Sequence, residues 1–404
     1  MIKYIQNLLQ GAPVQWTTLG DSQVVLVENN SRKPVKSSNR TIGDVPYYGA
    51  NNIQDYVNGY THNGTYVLVA EDGTASIENY SIQWATGKFW ANNHVHVLRG
   101  VGLLDSRFIY HYLHTVNFIP FLTGGGRAKL TKGKLLEIPI PIPPMAVQEE
   151  IVRILDKFTT LEAELEAELD CRKRQYEFYR DRLLSFDTLI QGGQSQNNII
   201  LKPLGDIGEI RMCKRILKEQ TLADGEIPFY KIGTFGKAPN AYISRKLFNE
   251  YREKYSYPKV GDVLISASGT IGRAVIFDGE DAYFQDSNIV WVDNDESEVL
   301  NKYLFYFYQI ARWNVSQGGT IQRLYNDNLK KTLIPIPFPQ DREKSLEEQA
   351  RIVEILDKFD TLTTSLTEGL PLEIELRRKQ YAYYRDQLLS FPEHKVTAKI
   401  WESH

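Results

Sequence analysis

The sequence predicts an α+β protein: two mixed α/β domains separated by two long antiparallel coiled-coil helices with pseudo-twofold symmetry. Three observations predict it. A long helical signature occurs twice, as IVRILDKFTTL with RKRQYEFYRDRLLSF and as IVEILDKFDTL with RRKQYAYYRDQLLSF. Aligning 147–158 with 348–359 gives 8 identities in 12 positions, and 172–186 with 377–391 gives 10 in 15. Self-similarity on this scale marks a duplicated unit. The duplication reaches upstream, where 124–143 aligns without gaps to 318–337 with 8 identities in 20, and VLVAEDGT (67–74) matches VLISASGT (263–270). Finally, short apolar and β-branched runs punctuated by Gly, Asn and Asp fill the space between these segments, as strands of a mixed fold do.

At 404 residues the chain is too long for one ordinary core. The expected order is a first domain over 1–145, a central helix over 146–188, a second domain over 189–340, a second helix over 341–391 and a tail over 392–404. In the first domain 23–28, 66–70 and 94–98 read as strands and 104–116 as a helix; in the second, 262–267 and 288–292 read as strands and 299–313 as a helix. Each domain is expected to have a twisted sheet or barrel-like core. His94, His96, His111 and His114 fall in these elements and read as packing or surface residues.

The helices carry apolar stripes at spacings of three and four. In the first copy the stripe is Ile151, Leu155, Phe158, Leu165, Leu169, Tyr176, Tyr179 and Leu183. In the second it is Ile352, Leu356, Phe359, Leu366, Tyr381, Tyr384 and Leu388. About 40 residues span ~60 Å if continuous, more than one compact domain can cover. The other copy is the simplest partner, and chain direction makes such a pair antiparallel. The first copy contains LEAELEAEL (161–169), two four-residue units of about one turn each; the second has Gly369-Leu370-Pro371 there. Proline is tolerated in a first turn, so a break near Gly369 and a restart at Pro371 are expected.

Net charge is −3, but its distribution is uneven. Residues 1–145 hold 12 basic and 9 acidic side chains and 189–340 hold 18 and 17, against 7 and 11 in 146–188 and 10 and 13 in 341–404. Globular parts that approach phosphates and helices that do not would show this bias. Cys171 and Cys213 form no metal or redox spacing. No apolar run reaches membrane-spanning length, and the first residues lack the order of a secretory signal, so a cytoplasmic protein with no membrane contact is expected.

No catalytic or metal-binding residue is assigned. The only Pro-Pro, at 143–144, opens a helix instead of closing on a flipped base. The turn at 124–127 lacks the GK[ST] ending of a phosphate-binding loop, and no GxSxG occurs. The only acidic-x-Lys is Glu393–Lys395, in the tail.

The two helical motifs, with the IPIP segments ahead of them, resemble the specificity subunits of type I restriction–modification enzymes, and within these the type IC class. The resemblance implies two target-recognition domains, each reading one half of a split, asymmetric double-stranded DNA sequence. It implies helices that hold them at fixed separation and dock two modification (methyltransferase) subunits, with restriction (motor/nuclease) subunits completing the enzyme. S-adenosylmethionine, ATP and Mg2+ then belong to the partner subunits, and this chain binds no cofactor. The four-residue unit would set the unread gap: one unit adds ~6 Å of helix, against roughly 3.4 Å per base pair.

Candidates for DNA contact are Gly- and amide-rich loops beside basic side chains. In the first domain these are Asn51, Asn52, Gly73, Thr74, Asn92 and Asn93, with Arg127, Lys129, Lys132 and Lys134 following the glycine turn. In the second they are Gly269, Thr270 and Arg273, with Gln322, Arg323 and Lys330 matching the first domain's basic run. Arg211, Lys214, Arg215 and Lys218 form a further cluster. A coiled-coil scaffold with two protein-binding domains is the alternative; salt-dependent protection of a spaced duplex separates the two.

Overall fold

A computed structural model describes residues 3–124, 128–185, 199–315 and 322–391. The chain forms two compact units, one from 1–166 with 373–404 and one from 167–372.

The first unit is built on a six-stranded sheet. Its order is Val25–Val27, Val95–Gly100, His62–Ala70, Ile82–Ala91, Ile42–Gly49, Asn52–Val57. Only Ile42–Gly49 and Ile82–Ala91 run parallel. The strand His62–Ala70 is covered on both faces, which is why Val67, Leu68, Val69 and Ala70 read as a continuous apolar run and are fully buried. Val67 and Val69 face the core that holds the helix Ser106–Leu113, while Leu68 packs with Phe89 and Val97 on the other face. The Asp105 carboxylate starts that helix by accepting the Arg107 and Phe108 N–H groups.

The second unit repeats the scheme with a four-stranded sheet, Glu209–Arg211, Ile289–Asp293, Val263–Ser266, Ala274–Ile276. A three-stranded sheet, Tyr242–Ile243, Ile227–Tyr230, Tyr283–Phe284, lies in the same unit and holds its parallel pair. Helix Asn301–Tyr308 matches Ser106–Leu113, and helix Arg245–Lys254 has no counterpart among the described residues of the first unit. In each unit a proline-rich strand pairs once, Pro139–Ile142 with Gln15–Thr18 and Leu333–Pro337 with Ile199–Pro203. A two-stranded ladder uses one edge of each strand, so the missing proline donors cost nothing on the other.

Three helices follow: Met145–Leu184, Arg342–Thr364 and Leu370–Leu388. Within the first unit Phe158 stacks on Tyr384 at 5.3 Å, Arg378 bonds Glu162 at 2.6 Å and Glu166 at 2.5 Å, and Leu388 shares a core with Ile151 and Leu155. Within the second, Tyr179 stacks on Phe359 at 5.5 Å, and Leu184 shares a core with Ile352 and Leu356. Rising numbers on one helix meet falling numbers on the other in both units, so the pairing is antiparallel. Leu165 and Leu169 are half-buried, and Tyr176 and Leu183 pack beside the second core as Tyr381 does beside the first.

One stripe residue departs from expectation. Leu366 lies in the link between helices and is 74% exposed. The stripe counted it as if the helix were continuous, but Arg342–Thr364 stops first. Gly369 makes the tight link, with φ of +87° and room for no Cβ, which would sit 2.6 Å from the Thr361 carbonyl oxygen. The helix restarts at Leu370, one residue ahead of the proline.

The duplication is also visible in buried polar chemistry. Gln148 donates to the Leu103 and Pro143 carbonyls at 2.8 Å and accepts the Asp105 N–H at 2.9 Å. Its counterpart Gln349 donates to the Glu298 carbonyl at 2.9 Å and accepts the Leu300 N–H at 3.0 Å. Both side chains are wholly buried and tie a long helix to the start of a domain helix. Gln148→Ala and Gln349→Ala are each expected to cost about 3 kcal/mol, because several buried groups lose their partner at once. Urea midpoints of the full-length chain check this; an unchanged midpoint refutes the anchoring role.

Candidate nucleic-acid interface

The Gly-Thr turn follows a central strand in both units, and the same three backbone links hold it. In the first domain Asp72 bridges Lys129, the Leu130 N–H donates to the Glu71 carbonyl at 2.7 Å, and the Glu71 N–H donates to the His94 carbonyl at 2.8 Å. In the second, Ser268 bridges Arg323, the Leu324 N–H donates to the Ala267 carbonyl at 2.8 Å, and the Ala267 N–H donates to the Asn288 carbonyl at 2.7 Å. Leu130 and Leu324 are the buried anchors. Gly73 and Gly269 adopt φ of +73° and +65°, a left-handed conformation that glycine enters without Cβ strain. The fold thus brings three sequence-distant segments to one surface, twice.

The electrostatics of the two surfaces differ. In the first domain Lys129 pairs with Glu71 at 3.0 Å and lies 3.9 Å from Asp72, while Arg32 pairs with Glu71 at 2.7 Å. Burial pushes the Glu71 carboxyl up, but hydrogen bonds from Arg32 and Lys129 outweigh it and hold the group below the usual carboxylate range. His96 is sealed beneath, its Nδ1 2.9 Å from Asn29 Nδ2 and its Nε2 2.7 Å from the Leu130 carbonyl oxygen. Burial lowers its pKa, so the ring is neutral, donates from Nε2 and accepts at Nδ1. In the second domain Ala267 and Ser268 stand where Glu71 and Asp72 stand, and exposed Arg323 has no ion pair among the described residues.

Asn51 donates to the Gly73 carbonyl at 2.7 Å and accepts the Ala75 N–H at 2.8 Å, so it holds the turn in place. Thr74 donates to the Ser76 carbonyl at 2.8 Å within the same loop. Asn52 and Asn93 are exposed. Asn92 is buried and accepts the His94 N–H at 2.8 Å, which gives it a turn-forming role instead of an open reading edge. Lys132 is exposed, while Lys134 pairs with Glu137 at 2.7 Å; Arg127 lies outside the described residues.

In the second domain Thr270, Gln322 and Lys330 are exposed, and Arg273 turns inward to donate to the Phe235 carbonyl at 2.9 Å. The further basic cluster is largely committed. Arg211 pairs with Glu209 at 2.7 Å and Asp293 at 3.5 Å, Arg215 with Asp286 at 2.8 Å, and Lys214 sits 5.1 Å from the Tyr255 ring centroid. Lys218 is exposed. Residue type alone missed Glu71, His94 and Asn288. A signal existed at the first of these: the aligned VLVAEDGT and VLISASGT agree at both ends and differ at the four positions between, the last two of which lose both carboxylates.

Known proteins place this architecture. The profile of the type I restriction modification DNA specificity domain matches residues 13–170 and again 200–376. A Haemophilus influenzae protein that carries the name of a type I restriction enzyme specificity subunit is 63% identical over 396 residues, covering 96% of this chain and 98% of its own. The EcoR124I/EcoR124II specificity subunit of Escherichia coli is 31% identical over 425 residues, covering 97% and 98%. The crystal structure of a type I system S subunit from M. genitalium shares the fold at a TM-score of 0.53 and 15% identity, over 95% of this chain and 97% of that one. With both halves matched by the profile and full-length relatives on either side of it, the chain belongs to the family of type I restriction–modification specificity subunits.

Proposed function

We propose that each domain of this non-catalytic DNA-specificity subunit reads one half of a bipartite, asymmetric duplex target, using its Gly-Thr turn and the basic residue bridged to it. The observation that carries this reading is one backbone frame built twice with unlike side chains on it. A shared frame presents each domain to the groove in the same way; unlike side chains suit unlike half-sites. The exposed cations Lys132, Lys218, Arg323 and Lys330 contact phosphates, and Arg127 joins them by its place in the sequence. The antiparallel helices dock two modification subunits, and restriction subunits complete the enzyme. S-adenosylmethionine, ATP and Mg2+ act on those partners. The assembly is assigned to the cytoplasm; no described helix is long and apolar enough to cross a membrane.

The test uses this chain assembled with its modification subunits. Mapping of methylated bases is expected to return two short sequences separated by a fixed unread gap; an uninterrupted motif, or none, refutes the reading. Binding to that duplex is expected to weaken steeply with salt. Arg323→Ala should lower the log–log salt slope by about 1, as loss of one phosphate contact does. Lys129→Ala should lower it less, because Glu71 and Asp72 already counter that charge.

A further inference from the structure

At the bridged turn, matched positions in the two domains carry unlike hydrogen-bonded side-chain pairs. In the first domain His94 Nδ1 lies 2.5 Å from Asp72 Oδ1. In the second the Ser268 hydroxyl donates to Asn288 Oδ1 at 2.7 Å. The correspondence rests on the backbone. His94 and Asn288 each accept, through their carbonyls, the N–H of the residue just before Asp72 or Ser268. Asp72 and Ser268 each bridge the basic residue of the facing strand. Upstream, the Asn92 N–H donates to the Tyr48 carbonyl at 3.2 Å and the Gln285 N–H to the Tyr230 carbonyl at 2.9 Å, so the turns leave matching strands. The second domain's turn is one residue longer and takes it up at Ser287, with φ of +54°.

The pairs leave different groups for a ligand. His94 turns Nδ1 to the Asp72 carboxylate, and its Nε2 has no partner among the described residues. His94 is 41% exposed, so its ring can be reached. Asn288, held at Oδ1 by Ser268, keeps its Nδ2 amide as a donor, and the residue is half-buried. One domain therefore offers an imidazole nitrogen where the other offers an amide donor.

We propose that His94 with Asp72, and Asn288 with Ser268, are specificity-determining pairs that set which base each domain accepts. The second pair, with its amide donor, selects a base edge that accepts in the major groove, such as guanine O6 and N7 or thymine O4; the first, with an imidazole in that place, selects a different edge. This rests on the reading of the domains as half-site readers. It adds where the discrimination between unlike half-sites is made.

The experiment exchanges the pairs in the full assembly with modification subunits. The variants are Asp72→Ser with His94→Asn, and Ser268→Asp with Asn288→His. Methylated sites are mapped genome-wide for each, and assembly is followed by size exclusion. The wild type must first return a bipartite motif; if it does not, the half-site reading itself fails and the pairs are not at issue. Given that motif, each variant is expected to shift base preference by roughly 10-fold or more at one or two positions. The two variants should alter different half-sites and leave the gap unchanged. An unaltered motif in both variants overturns the proposal, as does a change in both half-sites from one variant. Should both variants fail to assemble where the wild type does, the pairs are structural and the proposal is again overturned.

Discussion

Truncating Phe178 and Tyr383 to alanine is expected to leave the stability of the chain within about 0.5 kcal/mol of its starting value while stripping the modification subunits from the assembly. The two residues occupy the same position in the duplicated motif RKRQYEFYRDRLLSF and RRKQYAYYRDQLLSF. They are 58% and 61% exposed, unlike the fully buried Leu184 and the 2%-exposed Leu388 nearby on the same helices. The surface around them is duplicated in detail. Arg180 pairs with Asp181 at 2.9 Å as Arg385 does with Asp386 at 2.7 Å, and Arg172 donates to Gln175 at 2.7 Å as Arg377 does to Gln380 at 2.9 Å. A large, mostly exposed aromatic, edge-on to the tyrosine that follows it and present twice in the same setting, is what one partner bound in two copies requires. Aromatic anchors of this kind cost about 2–4 kcal/mol when truncated, or roughly 30-fold to 1,000-fold in affinity. Mass photometry of the assembly reads this directly. Phe178→Ala should lose one modification subunit, Tyr383→Ala the other, and the double variant both. Full 2:1 occupancy by the double variant at nanomolar concentration would remove these residues from the interface.

Much of this arrangement is legible from the chain alone, because duplication reports on architecture without needing side-chain contacts. Matching segments at 67–74 and 263–270, and at 124–143 and 318–337, foretell that a turn and a basic strand recur; the structure adds that they are bridged to each other. The helix break at Gly369 follows from glycine and proline chemistry. What sequence could not show is which charges are already spent. Lys134 is paired locally, but Lys129 is neutralised from 71–72 and Arg215 from 286, across separations that no spacing rule covers. Asn92 looked like a reading amide and is buried in a turn, since burial depends on strands that pack over it from elsewhere. The helix Arg245–Lys254 escaped notice because its apolar face reduces to Leu247, Phe248 and Tyr251, too few to stand out from a charged run.

Acidification from pH 7 to pH 5 is expected to destabilise the first unit and to leave the second nearly unaffected. The asymmetry starts in the sequence: residues 167–372 contain no histidine, whereas the first unit holds His96, His111 and His114 in its interior or partly buried. Burial lowers all three. His111 has its Nε2 2.8 Å from Asp156 and its Nδ1 2.9 Å from the Tyr381 hydroxyl, with Arg107 on the same carboxylate at 2.7 Å. His96 faces Glu71, Arg32 and Lys129, and His114, lowered by burial and then by the charges of Arg385, His111 and Arg107, falls to about 3. A ring whose folded pKa lies below its unfolded value of about 6.5 binds its proton more readily in the unfolded chain, so stability is lost as pH falls below that value. For His114 the loss at pH 5 is up to about 2 kcal/mol, and His96 and His111 act in the same direction. The facing carboxyls do not offset this. Glu71 and Asp156 are held below the usual range, against burial, by hydrogen bonds from their basic partners and stay charged throughout the window. In the second unit burial raises Asp262 and Asp360, which favours the folded state as pH falls. Hydrogen exchange corrected for intrinsic rates should show protection falling in peptides spanning 95–116 and holding in those spanning 289–310. His111→Gln, which keeps a hydrogen-bonding side chain without the titration, should lessen the difference. Equal loss of protection in both units would show that acid acts on something other than these rings.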